Sequence, residues 1–534
     1  MFSESILSAN LAALDRVQGR RPTLTGLDPD RVRAIPDDAA GLRLELSTSI
    51  GTWVPLQGPV VAQFPKQLLV IGPALGAVLD QIEGVGAPTR VVAIEPDPGV
   101  ALLMLARRDW TRWIEQGSLR LLTGPDYGGA AHCARSVDVS EPPQLLVSPQ
   151  LAHHRPDDVA AACAVAERLI SEAEKNASAR KRFAGPYLLQ SLSNLPAIAR
   201  ESNVAALDGA FAGRPAVIVG AGPSLDDNLP ALVALQNHAV IVAADTTLRP
   251  LLAGGVRPHI MVAVDPSPLN AQHLTGVEGL DDIWLAAEGS LHPSVFERFA
   301  GRIFTFKVSD HQPWPWLRTL GCDRGLLQTW GSVVTSAFDL ARRMGSDPII
   351  FAGLDLSFPV RRPYCANTIY DAMWRDAMTQ YGCTWEQLVD EYFERPINSL
   401  RRADIHGAPV VTSAHLASFR DWLVEQTAGD GTRRFINVTS AGILHGGRIV
   451  QSTLDDALAD TPALGGVRDV IRAAYESGLR LGAEVATGVD WLLANIDAPR
   501  AAAQVGRWIE FTASSVTAAD IRERLEAVSS AKPR

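Results

Sequence analysis

The sequence predicts an α/β protein with two Rossmann-like parallel-sheet domains joined by a helical connector and followed by a helical C-terminal region. Three observations carry this. Residues 66–124 alternate strand and helix patterns. The same alternation restarts at Ala216 and runs to Ser357. Between them, from Arg155 to Phe211, strand patterning gives way to Ala- and Glu-rich helix. Hydrophobic residues make up 47% and charged residues 20% of the 534, which is enough to build sizeable cores. The length suggests about three domains. The expected boundaries are 1–150 for the N-terminal Rossmann-like domain, 151–212 for the connector, 213–450 for a central ligand-binding domain and 451–534 for the helical end.

In the N-terminal domain, KQLLVIGPALGAVLDQI reads as strand, tight turn and helix. RVVAIEPDPGVALLMLARRDW repeats the pattern, and LRLLTG supplies a third strand. This is a βαβαβ half of a doubly wound fold. The turn Gly72–Gly76 and the acidic Glu95 stand where such folds hold a nucleoside, and methyltransferases that use S-adenosylmethionine share the layout. Pro73 and Ala74 spoil the glycine spacing, so the domain is expected to be structural. The connector, DDVAAACAVAERLISEAEKNASARKR, is expected to break at Gly185-Pro186 and resume as LLQSLSNLPAIARES.

The central domain opens with Ala216–Val219, β-branched at three of four positions, and then Gly220-Ala221-Gly222-Pro223-Ser224. Later strands end at Asp245, Asp265 and Glu288. RIFTFK, a helix over Gly331–Met344 and the strand PIIFAG follow, with Asp355 just beyond. Tyr370–Glu394 reads as helix, and DIHGAPVVTSAHLASFRDWLVEQ as hairpin then capped helix. FINVTSAGILHGG reads as strand and Gly-rich loop. From Asp455 the chain returns to helix and ends in a charged tail, Ala531–Arg534.

Composition narrows the function classes. A net charge of −10 argues against nucleic acid as the main partner, which would require a basic stripe. No apolar run reaches the ~18 residues of a membrane span, and the N-terminus lacks the apolar core of a signal peptide. Five scattered cysteines without a CxxC pair fit reduced thiols in a cytoplasm. The histidines show no metal-ligand spacing.

The candidate chemistry clusters at the ends of the central strands. Gly220 and Gly222 allow a close backbone approach, Ala221 and Pro223 complete the turn, and Ser224 can cap the next helix and aim its hydroxyl at a phosphate. A plain glycine turn with a capping serine has the same sequence, and without a Lys it is not a Walker loop. Carboxylates at Asp245, Asp265, Glu288 and Asp355 can hold ribose hydroxyls, bind Mg²⁺ or act as bases. Gly331-Ser332 opens a second phosphate-facing helix. Tyr364, with Arg361 and Arg362 nearby, can assist a leaving phosphate. His406 and His415 are candidate general bases, His406 being preferred.

These residues resemble a family. Arg214–Asp226, read with AADTTLRPLLAGGVRP, MVAVDP, WGSVVTSAFDLARRMGSDPIIFAGLDLSF, GAPVVTSAHLASFRDWL and INVTSAGILHGG in that order, is similar to the motility accessory factor (Maf) family of flagellin glycosyltransferases. The similarity runs from about Leu188 to Gly447. Its central domain is of the MptE-like, sialyltransferase-like type. The resemblance implies a cytoplasmic glycosyltransferase of flagellar motility. It would move a nonulosonic sugar such as pseudaminic or legionaminic acid from a CMP-activated donor to Ser or Thr of flagellin. It also implies that the glycine loop holds CMP, that Asp355 positions the donor and that Tyr364 assists phosphate departure. Ala221 stands where the sialyltransferase loop has Asn. Pro258-His259 replaces a Pro-Asp pair, which leaves the part played by Asp265 open. Two other readings stand beside it: a 6-hydroxymethylpterin pyrophosphokinase using Mg·ATP, to which the same domain is similar, and a non-catalytic flagellin-binding factor.

Overall fold

The computed structural model describes residues 3–18, 24–36, 43–60, 65–86, 89–125, 127, 133–134, 136–139, 141–392, 399–479 and 482–530. The chain divides into two units, Met1–Arg180 and Lys181–Arg534. The division falls inside one long helix, Pro156–Ser193.

The first unit holds two sheets. Strands β1 (Val32–Ile35), β2 (Arg43–Ser47) and β3 (Trp53–Leu56) form an antiparallel sheet that the strand pattern did not predict. Strands β4 (Gln67–Ile71), β5 (Arg90–Glu95), β6 (Leu119–Thr123) and β7 (Gln144–Val147) pair in parallel in the order β6-β5-β4-β7. The near-continuous apolar runs of β4 and β5 are buried, as parallel strands covered by helices require. Glu95 is turned into the protein. Its carboxylate is 1% exposed and accepts hydrogen bonds from the amides of Ala74 (3.3 Å) and Asp97 (3.1 Å). Burial pushes its pKa up to about 8. Gly72 is equally committed, since a Cβ there would meet the Leu151 side chain.

The second unit is built on one ten-stranded parallel sheet. Its strands are β8 (Ser202–Asn203), β9 (Ala216–Val219), β10 (Val240–Ala244), β11 (Ile260–Ala263), β12 (Trp284–Glu288), β13 (Ile303–Lys307), β14 (Gly325–Leu326) and β15 (Ile349–Ala352). A hairpin, β16 (Ser399–Ala403) and β17 (Pro409–Ser413), lies outside it. β18 (Phe435–Asn437) and β19 (Ile449–Gln451) complete it. The order is β14-β13-β12-β11-β10-β9-β15-β18-β19, with β8 beside β13. The chain therefore works outward from β9 to β14, returns to the other side of β9 as β15, and proceeds the opposite way. Strand order reverses between β9 and β15. The crevice beyond their carboxyl ends is where an open α/β sheet offers a ligand site.

The helix Val333–Arg343 packs across β9, β10 and β11, with Val334 to Ala341 buried. On another part of the unit, Leu188, Leu192 and Ile198 share a core with Leu285 of β12 and with Val489, Trp508 and Leu525 of the C-terminal helices. That burial explains one departure from expectation: the helix runs through Pro186 without breaking at Gly185. The hydrogen bond lost to proline is offset by Leu188 and Leu192, which are fully buried behind it. The helix expected over Tyr370–Glu394 is two, Ile369–Tyr381 and Trp385–Tyr392, parted where Gly382 takes φ +64° as a left-handed cap. Residues 393–394 and the tail Ala531–Arg534 lie outside the described residues. Among the described residues no helix is long and apolar enough to cross a membrane.

Candidate functional site

A cavity of about 330 Å³ opens at the β9/β15 switch point. It is built from the loops after β9, β10, β11 and β15, the start of the helix Val333–Arg343, the segment Pro363–Tyr370 and the start of the helix Ala414–Gly429. Among the sequence-predicted residues, Gly220, Ala221, Gly222, Asp245, Asp265, Gly331, Ser332, Asp355 and Tyr364 all line it.

The glycine loop works differently from the sequence expectation. The Gly220 amide donates to the Ala352 carbonyl (2.9 Å) and the Gly222 amide to the Gly353 carbonyl (2.8 Å), so neither is free for a phosphate. A Cβ on Gly222 would collide with the Asp355 carboxylate and stand 2.7 Å from the Gly353 carbonyl oxygen. Both glycines are needed because two loops pass at backbone contact. Ser224 is also redirected. It makes no cap for the helix Leu225–Leu235; its hydroxyl donates to Asp355 Oδ2 at 2.8 Å, and its amide approaches the same oxygen at 3.3 Å. Buried at 3% exposure, Ser224 holds Asp355, not a ligand, and Pro223 turns the chain into that arrangement without lining the cavity.

Asp355 is the most constrained group present. It is 1% exposed, and while Ser224 occupies Oδ2, Oδ1 is buried without a hydrogen-bond partner. Burial raises its pKa to about 7 against the opposing hydrogen bonds of Ser224. The next residue, Leu356, sits at φ +50°, a strained conformation for a branched side chain. The strain is held by surrounding bonds: the Ile443 amide donates to the Asp355 carbonyl (2.9 Å) and Thr412 Oγ1 to the Leu356 carbonyl (2.7 Å). The turn thus keeps an unsatisfied carboxyl oxygen at the cavity.

Asp245 is a second carboxyl raised to about 7 by burial. Its Oδ1 accepts from the Thr246 amide (2.8 Å) and its Oδ2 from Asn270 Nδ2. Asp265 is exposed and accepts from the Ser267 amide at 2.8 Å. Tyr364 and Tyr370 stack with ring centroids 4.6 Å apart. Burial, then the charge of Asp245, raises the Tyr364 phenol above its ordinary value. The first turn of the Val333–Arg343 helix also lines the cavity and presents the orphan amides that every helix start carries.

Two predicted residues lie elsewhere. Glu288 is fully buried and does not line the cavity. It accepts hydrogen bonds from the Tyr187 hydroxyl and from the Ser290 amide (2.7 Å) and hydroxyl, a closed network that stabilises the end of β12. His406 sits on the exposed hairpin turn, its ring against the Ser440 carbonyl (3.2 Å), also away from the cavity. His415 stands at the cavity instead, carried by the second helix start, with Ser413 Oγ 3.0 Å from Nδ1. Asn270, His273 and Tyr370 also line the cavity and were not singled out from sequence. Asn270 and His273 follow β11, two strands from the switch point, and no local motif marks them.

Residues 189–361 match the family described as "6-hydroxymethylpterin diphosphokinase MptE-like". No curated protein matches the chain. Among solved structures, the chain is similar to the MAf glycosyltransferase from Magnetospirillum magneticum AMB-1. The match has 15% identity and a TM-score of 0.46, over 98% of this chain and 94% of that one.

Proposed function

We propose that the second unit is a glycosyltransferase that takes a nonulosonic sugar from a CMP-activated donor, with Ser or Thr of flagellin as acceptor in a cytoplasmic reaction. The observation that carries this reading is the switch-point cavity, whose lining includes a helix start and Asp355 with an unpaired oxygen. The ordered motifs from Arg214 to Gly447 supply the sugar class by resemblance.

The chemistry asked of the site is modest. The bond between the donor's anomeric carbon and its phosphate oxygen breaks, an acceptor hydroxyl oxygen bonds to that carbon, and its proton must leave. Amides at the start of the Val333–Arg343 helix stabilise charge gathering on the phosphate, while the Tyr364 hydroxyl stands with Tyr370 beside Asp245 and can meet a donor hydroxyl. His415, steadied by Ser413, is the residue to accept the acceptor proton. Asp355 and Asp245, with pKa values near 7, can each donate or accept a hydrogen bond to donor hydroxyls.

The family match favours one second reading, a pyrophosphokinase acting on Mg·ATP. The residues present do not make a ready metal cage. Both oxygens of Asp245 already accept hydrogen bonds, and among the described residues no group of three candidate ligands converges. Calorimetric titration with CMP, CDP, ATP with Mg²⁺, and S-adenosylmethionine separates the readings. CMP or CDP binding without Mg²⁺ supports the transferase. Binding only of ATP, and only with Mg²⁺, overturns it in favour of the kinase.

A further inference from the structure

The cavity lining carries two unlike kinds of group. Asp245 and Asp265 line it from the loops after β10 and β11; burial, then Tyr364, raises the Tyr370 phenol, and the charges of both carboxylates add to that. A phosphate placed against them would meet two carboxylates. The helix start at Ser332–Val334 is the part of the lining that suits an anion.

His273 belongs with the carboxylates, through Tyr370. It is 4% exposed, lines the cavity, and packs edge-on against Tyr370 with centroids 5.9 Å apart. Its Nδ1 is buried and has no hydrogen-bond partner. A buried polar atom left unpaired destabilises the fold, so a residue that only filled space would be better as Leu or Phe. The ring is also uncharged at neutral pH: burial, reinforced by Arg249, lowers its pKa to about 4. A neutral imidazole offers one donor and one acceptor, the complement of an uncharged polar group that both accepts and donates.

We propose that His273 reads the uncharged nucleoside half of the donor, its ring nitrogens exchanging hydrogen bonds with a base edge or a ribose hydroxyl while the phosphate lies at the helix start. This rests on the nucleotide-donor reading above. Nothing in the spacing of the sequence marks the residue; the role comes from the unpaired nitrogen, the cavity wall and the neighbouring carboxylates.

The test is calorimetric titration of the full chain, wild type, His273→Phe and His273→Gln, with CMP, cytidine and ribose 5-phosphate. The phenylalanine keeps the ring against Tyr370 and removes both nitrogens; the glutamine removes the ring and restores a donor and an acceptor. The expected result is that His273→Phe weakens CMP and cytidine at least about tenfold, the loss of one good hydrogen bond, and that His273→Gln binds more tightly than His273→Phe. Ribose 5-phosphate then distinguishes the contact. Unchanged affinity assigns His273 to the base, and parallel weakening assigns it to the ribose. Binding of CMP by wild type and His273→Phe alike overturns this inference and leaves the transferase reading standing. So does a glutamine variant weaker than the phenylalanine one, the mark of a purely packing role. Failure of the wild type to bind CMP removes the transferase reading and this inference with it.

Discussion

Replacing Ser224 by Ala isolates the contact that holds Asp355. The hydroxyl donates to Asp355 Oδ2 at 2.8 Å in a buried setting, and the remaining amide contact is 3.3 Å. A hydrogen bond to a charged group is worth a net ~1.5–3 kcal/mol, and one between neutral groups ~0.5–1.5. Which value applies depends on pH, because Asp355 titrates near 7 in the folded chain against 3.8 for an ordinary Asp. Its folded pKa is raised. The stability it contributes is therefore fully present below about pH 4 and is lost as pH rises through about 7. Without the serine the ionised form loses its best donor, so the pKa climbs by roughly a further unit, or ~1.4 kcal/mol, and the loss of stability continues to higher pH. Thermal melting of the full chain should thus show Ser224→Ala costing more at about pH 8.5 than at about pH 5.5, by ~1–1.5 kcal/mol. With Asp355 already changed to Asn, the difference between the two pH values should vanish. Equal losses at both pH values, or an undiminished pH effect in the Asp355→Asn background, would refute the reasoning.

Other outcomes follow from the same geometry. Gly222→Val should destabilise the second unit by ~1–3 kcal/mol or more and abolish nucleotide binding, because its Cβ lands on the Asp355 carboxylate; melting and calorimetry together check this. If His415 is the base, His415→Ala should lower the transfer rate by about 10²–10⁴ with little change in donor affinity, whereas His406→Ala should keep near wild-type turnover; comparable losses for the two would count against the assignment. Asp245→Asn should flatten the fall in melting temperature between about pH 4 and pH 7, since burial raises Asp245 to about 7 and its stabilisation is lost over that window; an unchanged slope would contradict it. Glu288→Gln should leave CMP affinity within about twofold, because Glu288 faces Tyr187 and Ser290 and not the cavity; a large loss in a titration would return it to the site.

The residues that sequence alone located were those whose local pattern carries the signal. Ala216–Val219, the loop that follows it and the acidic ends of β10 and β12 were legible because a buried strand reads as a short β-branched run. The side sheet β1–β3 was not, since its strands of four or five residues lack a clean alternation. The helix through Pro186 was not, since the burial that sustains it comes from residues some 300 positions away.

From its residues alone, the chain determines an α/β architecture and a glycine loop after the first strand of its second sheet, because periodicity and turn chemistry are local. Only the tertiary structure decided what each candidate touches. It turned Ser224 toward Asp355, withdrew Glu288 into a closed network, left His406 on a distant hairpin, and brought His415 and His273 to the cavity. The physical reason is that hydrogen-bond partners and burial are properties of contacts between distant segments, such as Asp355 with Ser224, 131 residues apart, or Glu288 with Tyr187, 101 apart. No spacing within either segment records them.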